Sequence, residues 1–150
     1  MSTNHSNRWN IEIDTGGTFT DCIGTDPDGH EYRCKILSSS ALRGKITGII
    51  DPQTITAETE WHVPDDFIKG FTFRIYKFPE FEPSVTAYES GSGRIRLDKE
   101  LPGNLSENIN FEVISPEEAP LLAARVLTKT PLNKELPEMD LRLATTIGTN

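Results

Sequence analysis

Apolar and polar residues alternate along much of this chain. Trp9, Ile11 and Ile13 are separated by Asn10, Glu12 and Asp14. That period of two predicts a strand ending at Asp14. Gly16-Gly17 interrupts it with a tight turn, and residues 18–24 form a second β-rich run. Asp26-Pro27-Asp28-Gly29 is a strong turn signal, after which residues 31–37 return as a third strand. Residues 7–45 thus read as a β-meander with a glycine turn after its first strand. Ser38-Ser39-Ser40 offers a cap for a short helix over Ala41-Leu42-Arg43, which Gly44 and Gly48 would limit.

The period of two resumes at Ile55, Ala57, Thr59, Trp61 and Val63, and again at Phe71, Phe73 and Ile75. Residues 85–88 and 94–97 flank Ser90-Gly91-Ser92-Gly93 as a hairpin, and residues 109–114 form a further strand. Residues 46–114 are therefore a β-rich middle. The period changes between Ser115 and Thr128, where Ala119, Leu122, Ala123, Val126 and Leu127 follow helical spacing. Ser115 and Glu118 resemble a capping box with Pro116 at the first helical position. Pro120 lacks an N–H for the second turn, so a start at Pro120 is the alternative. Residues 139–145 predict a last strand before Thr146-Ile147-Gly148-Thr149-Asn150, making 115–150 a helix–strand return. The two ends look like parts of an α/β layer, with α+β character overall.

Composition narrows the function classes. A chain of 150 residues with 35% hydrophobic and 25% charged residues is a globular domain with room for a core. Its net charge of −8 disfavours a nucleic-acid surface, which needs clustered Lys and Arg. No apolar run spans a bilayer and no secretory leader opens the chain, so the expectation is a cytoplasmic protein that is not in a membrane. Cys22 and Cys34 can face each other on a hairpin turning near Asp28. Free buried thiols are favoured over a disulfide in a reducing compartment. His5, His30 and His62 have no ligand spacing to the cysteines, which disfavours zinc, and no Gly-x4-Gly-Lys-Ser/Thr loop occurs. Phe71, Phe73, Tyr76, Phe78 and Phe81 read as strand core more readily than as a binding platform.

The segment that carries chemistry is Asp14-Thr15-Gly16-Gly17-Thr18-Phe19-Thr20-Asp21. Two residues without Cβ let the backbone bend and approach a ligand closely. Successive N–H groups in such a turn suit phosphate oxygens, with Thr15, Thr18 and Thr20 adding hydroxyl donors. Asp14 would repel phosphate unless a cation intervenes, and magnesium meets that need. The plain alternative is a hairpin turn with a polar rim.

The string resembles the first phosphate motif of actin-like ATPases, and within them the hydantoinase/oxoprolinase family. Residues 144–150 resemble a Gly-Thr-Thr-x-Ala-Thr-Asn string of the same family, departing from it at Ala144 and Gly148. Residues 38–44 and 117–125 look like the oxoprolinase branch. The resemblance implies an α/β chain forming part of a ribonuclease-H-like, actin-like ATPase lobe with a β-rich insertion. It implies ATP-dependent opening of a cyclic amide, 5-oxoproline or a hydantoin, through a phosphorylated lactam. ATP and magnesium would be the cofactors. Partners would be the small-molecule amide, the remainder of a longer polypeptide and a B-type subunit or domain. Asp14, Thr15, Gly16, Gly17, Thr18, Thr20, Asp21, Thr146 and Asn150 would line the nucleotide site, with Asp14 facing the metal. Thr20 and Asp21 are the weaker members of that set; Thr145 and Thr149 would join Thr146 and Asn150 in the same cleft, with a polar turn after a buried strand as the equal alternative.

The chain stops directly after a threonine-rich turn, which suggests a fragment, inactive alone. An exposed strand edge would also invite a homodimer. Two other readings stay open: a sugar- or acetate-kinase-like or other actin-like ATPase fragment, and a non-catalytic β-rich binding module.

Overall fold

A computed structural model describes residues 7–145. Strands account for 45% of the chain and helix for 7%. This overturns the expectation of an α/β, actin-like ATPase lobe: among the described residues the chain forms one helix. Period-two alternation governs nearly every segment, and only residues 119–128 combine helical spacing with an Ala- and Leu-rich stretch.

The chain divides into two compact units, residues 1–40 with 117–150, and residues 41–116. In the first, β1 (Trp9–Thr15), β2 (Phe19–Thr25) and β3 (Glu31–Leu37) form an antiparallel meander. The helix α1 (Ala119–Thr128) packs mainly on β2 and β3, and β10 (Met139–Thr145) then pairs parallel to β1. Ile11, Ile13, Cys22, Leu122, Ala123 and Leu127 are buried between sheet and helix. Gly24 admits the helix: a Cβ there would lie 3.2 Å from Leu127 Cδ1.

The helix begins at Ala119 with Glu118 as its N-cap, and no side chain caps it. The predicted Ser115–Glu118 capping box does not form, because Pro120 sits in the first turn, where its missing N–H costs nothing. Lys129 closes the helix in the left-handed region at φ 57°. Arg125, on the last turn, is buried with Glu117, at 2.6 Å, and hydrogen-bonds the carbonyls of Pro131 and Lys134, which fixes the connection toward β10.

The second unit contains β4 (Ala41–Asp51), β5 (Thr54–Thr59), β6 (Thr72–Arg74), β7 (Val85–Glu89), β8 (Arg94–Leu97) and β9 (Asn110–Ile114). The short helix expected over residues 41–43 is instead the start of β4. Ser40 at φ 66° turns the chain, and Ala41 and Leu42 enter the core. The order is β6-β9-β4-β5-β8-β7, antiparallel throughout. Backbone bonds from Val85 N–H to Phe71 O and from Phe73 N–H to Pro83 O, with a Thr72–Ser84 bridge, join the start of β7 to β6. The six strands thereby close on themselves around Phe67, Phe71, Phe73, Phe111, Ile46, Ile55 and Ile95. Gly44 is required inside this ring, since a Cβ there would lie 2.5 Å from the Phe111 ring. Tyr76 alone of the expected core aromatics stands almost wholly in solvent.

Cys22 and Cys34 are joined in a disulfide, correcting the expectation of free thiols. They are directly paired in the β2–β3 register with Cα atoms 5.3 Å apart, so the hairpin itself brings the sulfurs together. With a sequence separation of 12, losing the bond through Cys34→Ser should cost about 2–3 kcal/mol, measurable by urea unfolding. In the second unit the Ser90 N–H and hydroxyl donate to Asp65 and hold its carboxyl below the usual range despite desolvation. Its folded pKa lies below the unfolded value of about 3.9. Its contribution is present above that value and lost as pH falls through the folded pKa. Asp65→Asn should therefore flatten the acid limb of the stability profile, read by thermal melts across acidic pH.

Candidate functional site

The glycine loop joins β1 to β2. Register sets Asp14 opposite Asp21 on the exposed side of the sheet, and Thr15 opposite Thr20 on the other. Gly16 N–H donates to Phe19 O at 3.0 Å, closing the turn. Ser38, just past β3, then ties the loop down from the neighbouring strand. Its N–H donates to Thr18 O at 2.8 Å, its hydroxyl donates to Gly16 O at 2.8 Å, and that hydroxyl lies 2.9 Å from Thr20 Oγ1.

These bonds decide which groups remain for a ligand. The Gly16 amide is used within the turn. Thr20 is fully buried with its hydroxyl on Ser38, so it shapes the loop and does not reach the surface. The Gly17 and Thr18 N–H groups make no hydrogen bond to the chain among the described residues, and both residues are exposed. The two glycines also differ. A Cβ on Gly16 would lie 3.0 Å from Phe19 O, whereas one on Gly17 would meet nothing within 4 Å. A side chain at residue 16 would crowd the turn, whereas residue 17 stands in open space.

Asp14 and Asp21 face each other across the strands, an arrangement of like charges that destabilises a sheet unless a cation offsets it. Lys35 supplies part of that offset: Nζ lies 3.8 Å from Asp21 and 5.2 Å from the centre of the Phe19 ring. Thr15 is half-buried, and Thr145 is exposed beside it in the β1–β10 register. The loop thus carries two amide donors with no partner among the described residues, and the Asp14–Asp21 pair lies on the two strands it joins. In general, open backbone amides suit an anion and paired carboxylates suit a divalent cation. Thr146, Thr149 and Asn150 lie outside the described residues.

Ser38 was not recognised from sequence as part of this loop, yet the signal was there. The hairpin phase that pairs Cys22 with Cys34 also sets residue 38 level with residue 18. A second cluster, Asp26, Asp28 and His30, offers three ligand atoms within 4.8 Å of one another. It is a turn built on Asp26, whose carboxylate accepts the Asp28 and His30 N–H groups and the Tyr32 hydroxyl. Desolvation is the largest single influence on Asp26 and raises its pKa, but those three hydrogen bonds together hold it below the usual carboxylate range.

Gly17→Ala should change stability by less than about 1 kcal/mol. Ser38→Ala leaves Gly16 O and the buried Thr20 hydroxyl short of a partner and should cost about 1–3 kcal/mol. Urea unfolding of the two variants checks that order. No protein-family model, curated protein or solved structure matches this chain, so the site's chemistry rests on the geometry of its own residues.

Proposed function

We propose that the Asp14–Asp21 loop binds the phosphates of magnesium-ATP, and that the chain is the N-terminal nucleotide-binding part of an ATP-dependent hydrolase of cyclic amides. The observation that carries this reading is the pair of amides at Gly17 and Thr18 that find no partner among the described residues, in a loop whose flanking strands set Asp14 opposite Asp21. The amides would donate to phosphate oxygens, and Asp14 would hold the magnesium that offsets its repulsion of phosphate. Asp21 supports the metal through its charge. The loop sequence, with its resemblance to the hydantoinase/oxoprolinase motif, supports the assignment of ATP and of a 5-oxoproline- or hydantoin-type substrate. Transfer of phosphate to the amide oxygen would make the ring carbonyl a better electrophile for water. The rest of a longer polypeptide and a B-type partner would complete that step.

The predominance of strand favours a second reading, a β-rich binding module with an incidental glycine turn. One titration separates the two. Adding magnesium-ATP to the isotope-labelled 150-residue chain should shift the Gly17 and Thr18 amide resonances, with weak affinity and no ATP hydrolysis by this chain alone. Asp14→Ala should remove the magnesium dependence of those shifts. Unmoved Gly17 and Thr18 resonances at millimolar magnesium-ATP would leave the binding-module reading.

A further inference from the structure

Residues 41–116 carry a polar site of their own. On β8, Ile95 and Leu97 are buried in the core, so Arg94 and Arg96 project together on the outer face. Register sets Arg94 between Thr56 and Glu89, and Arg96 between Thr54 and Ala87. The β4–β5 turn and residues 65–66 line the same space, a cavity of about 400 Å³. That lies within the range of small-molecule sites, about 300–1,000 Å³.

Four carboxylates share this cavity with the two guanidinium groups: Asp51, Asp65, Asp66 and Glu89. The chain's own turns take up each of them. Gln53 N–H donates to Asp51 at 2.8 Å. Ser90 donates its N–H and its hydroxyl to Asp65 Oδ1, at 2.8 and 2.9 Å. Tyr88 N–H donates to Asp66 Oδ1 at 2.9 Å, and the Ser92 hydroxyl donates to Glu89. The arginines are left over. Arg43 and Arg74 of the same unit pair with Glu112 and Glu82. The guanidinium groups of Arg94 and Arg96 make no hydrogen bond or ion pair among the described residues. Arg96 acts on Asp51 through its charge alone. The Asp51 carboxyl is held below the usual range first by the Gln53 N–H, against desolvation, and then by Thr54 and Arg96.

A guanidinium without a carboxylate of its own chain is a planar fork open to one from a ligand. A simple anion is still the wrong occupant, because four carboxylates outnumber two guanidiniums and leave the cavity negative. A simple cation would be repelled by both arginines and leave them unpaired. Only a molecule carrying both signs answers both groups. From this we infer that the cavity binds an amino acid with a basic side chain, its carboxylate on Arg94 and Arg96 and its ammonium groups toward Asp65 and Asp66. Oδ2 of each of these two aspartates accepts no hydrogen bond among the described residues. Two cationic groups against one carboxylate also reduce the excess of negative charge, which a neutral amino acid would leave unchanged. Ile50 and Ala87 give the aliphatic part of the ligand an apolar wall. The site shares no residue with the glycine loop and stands whether or not that loop binds nucleotide.

Titration of the isotope-labelled 150-residue chain with L-lysine tests the proposal. The amide resonances of Ala87, Glu89, Arg94 and Arg96 should shift and saturate at millimolar concentration. Cadaverine, which is lysine without its carboxylate, should bind about tenfold more weakly or worse, since it forfeits a charge-assisted bond to the arginines. The double variant Arg94→Gln/Arg96→Gln should weaken L-lysine by a similar factor and leave cadaverine unweakened. Circular dichroism of the variant excludes loss of fold as the cause, and the comparison of L-lysine with cadaverine on the unaltered chain needs no variant. Unmoved resonances at tens of millimolar L-lysine overturn the proposal. So does cadaverine binding as tightly as L-lysine, or a double variant that binds L-lysine undiminished.

Discussion

Every strand carries a row of N–H and C=O groups on each side, and the partners those groups find organise this protein. Residues 41–116 meet the demand by closure, with β6 and β7 joined through Phe71, Phe73, Pro83 and Val85. The ring encloses its aromatic core and pairs strand with strand all the way round. The other unit meets it differently. Its meander stops at β1, and the chain then returns through α1 to lay β10 alongside. The helix serves that return twice, covering the buried face of the sheet and directing the chain outward through the carbonyls gathered by Arg125.

The same accounting defines the loop between β1 and β2. A hairpin turn always leaves some amides and carbonyls without ladder partners. Here Ser38 takes two of the carbonyls and the Gly16 amide takes a third. Among the groups left without a partner in the described residues are the N–H groups of Gly17 and Thr18. Backbone donors of this kind suit an anion without the help of a lysine.

Much of this was legible in the sequence. Alternation located β1, β3, the β7–β8 hairpin and β10 nearly to the residue, since a period of two reports local geometry directly. The Cys22–Cys34 pairing was also readable, but not its chemistry, which depends on redox conditions that no residue encodes. The α/β expectation failed for a different reason. It came from resemblance at the two ends, while residues 41–116 contribute strands and no helix. Closure of the six strands was invisible because it depends on contacts far apart in sequence, such as β4 with β9 and β5 with β8. For the site, the loop residues were legible, whereas the burial of Thr20 was not. It depends on Ser38, eighteen residues away, which reads from sequence as a helix cap.

The disulfide connects these observations. Slipping β3 by one residue against β2 would turn its inward side chains outward and move Ser38 away from Thr18 and Gly16. Burial of Ile36 and Leu37 opposes such a slip, but β3 is mostly exposed, with four of its seven residues in solvent, so its apolar pattern specifies register only weakly at the turn end. A covalent bond between Cys22 and Cys34 removes the ambiguity where the apolar pattern is weakest. It lies four residues from Thr18 on one strand and four from Ser38 on the other. Its structural consequence is therefore felt at the loop: it fixes which residue reaches Gly16 O, and so which amides are left open.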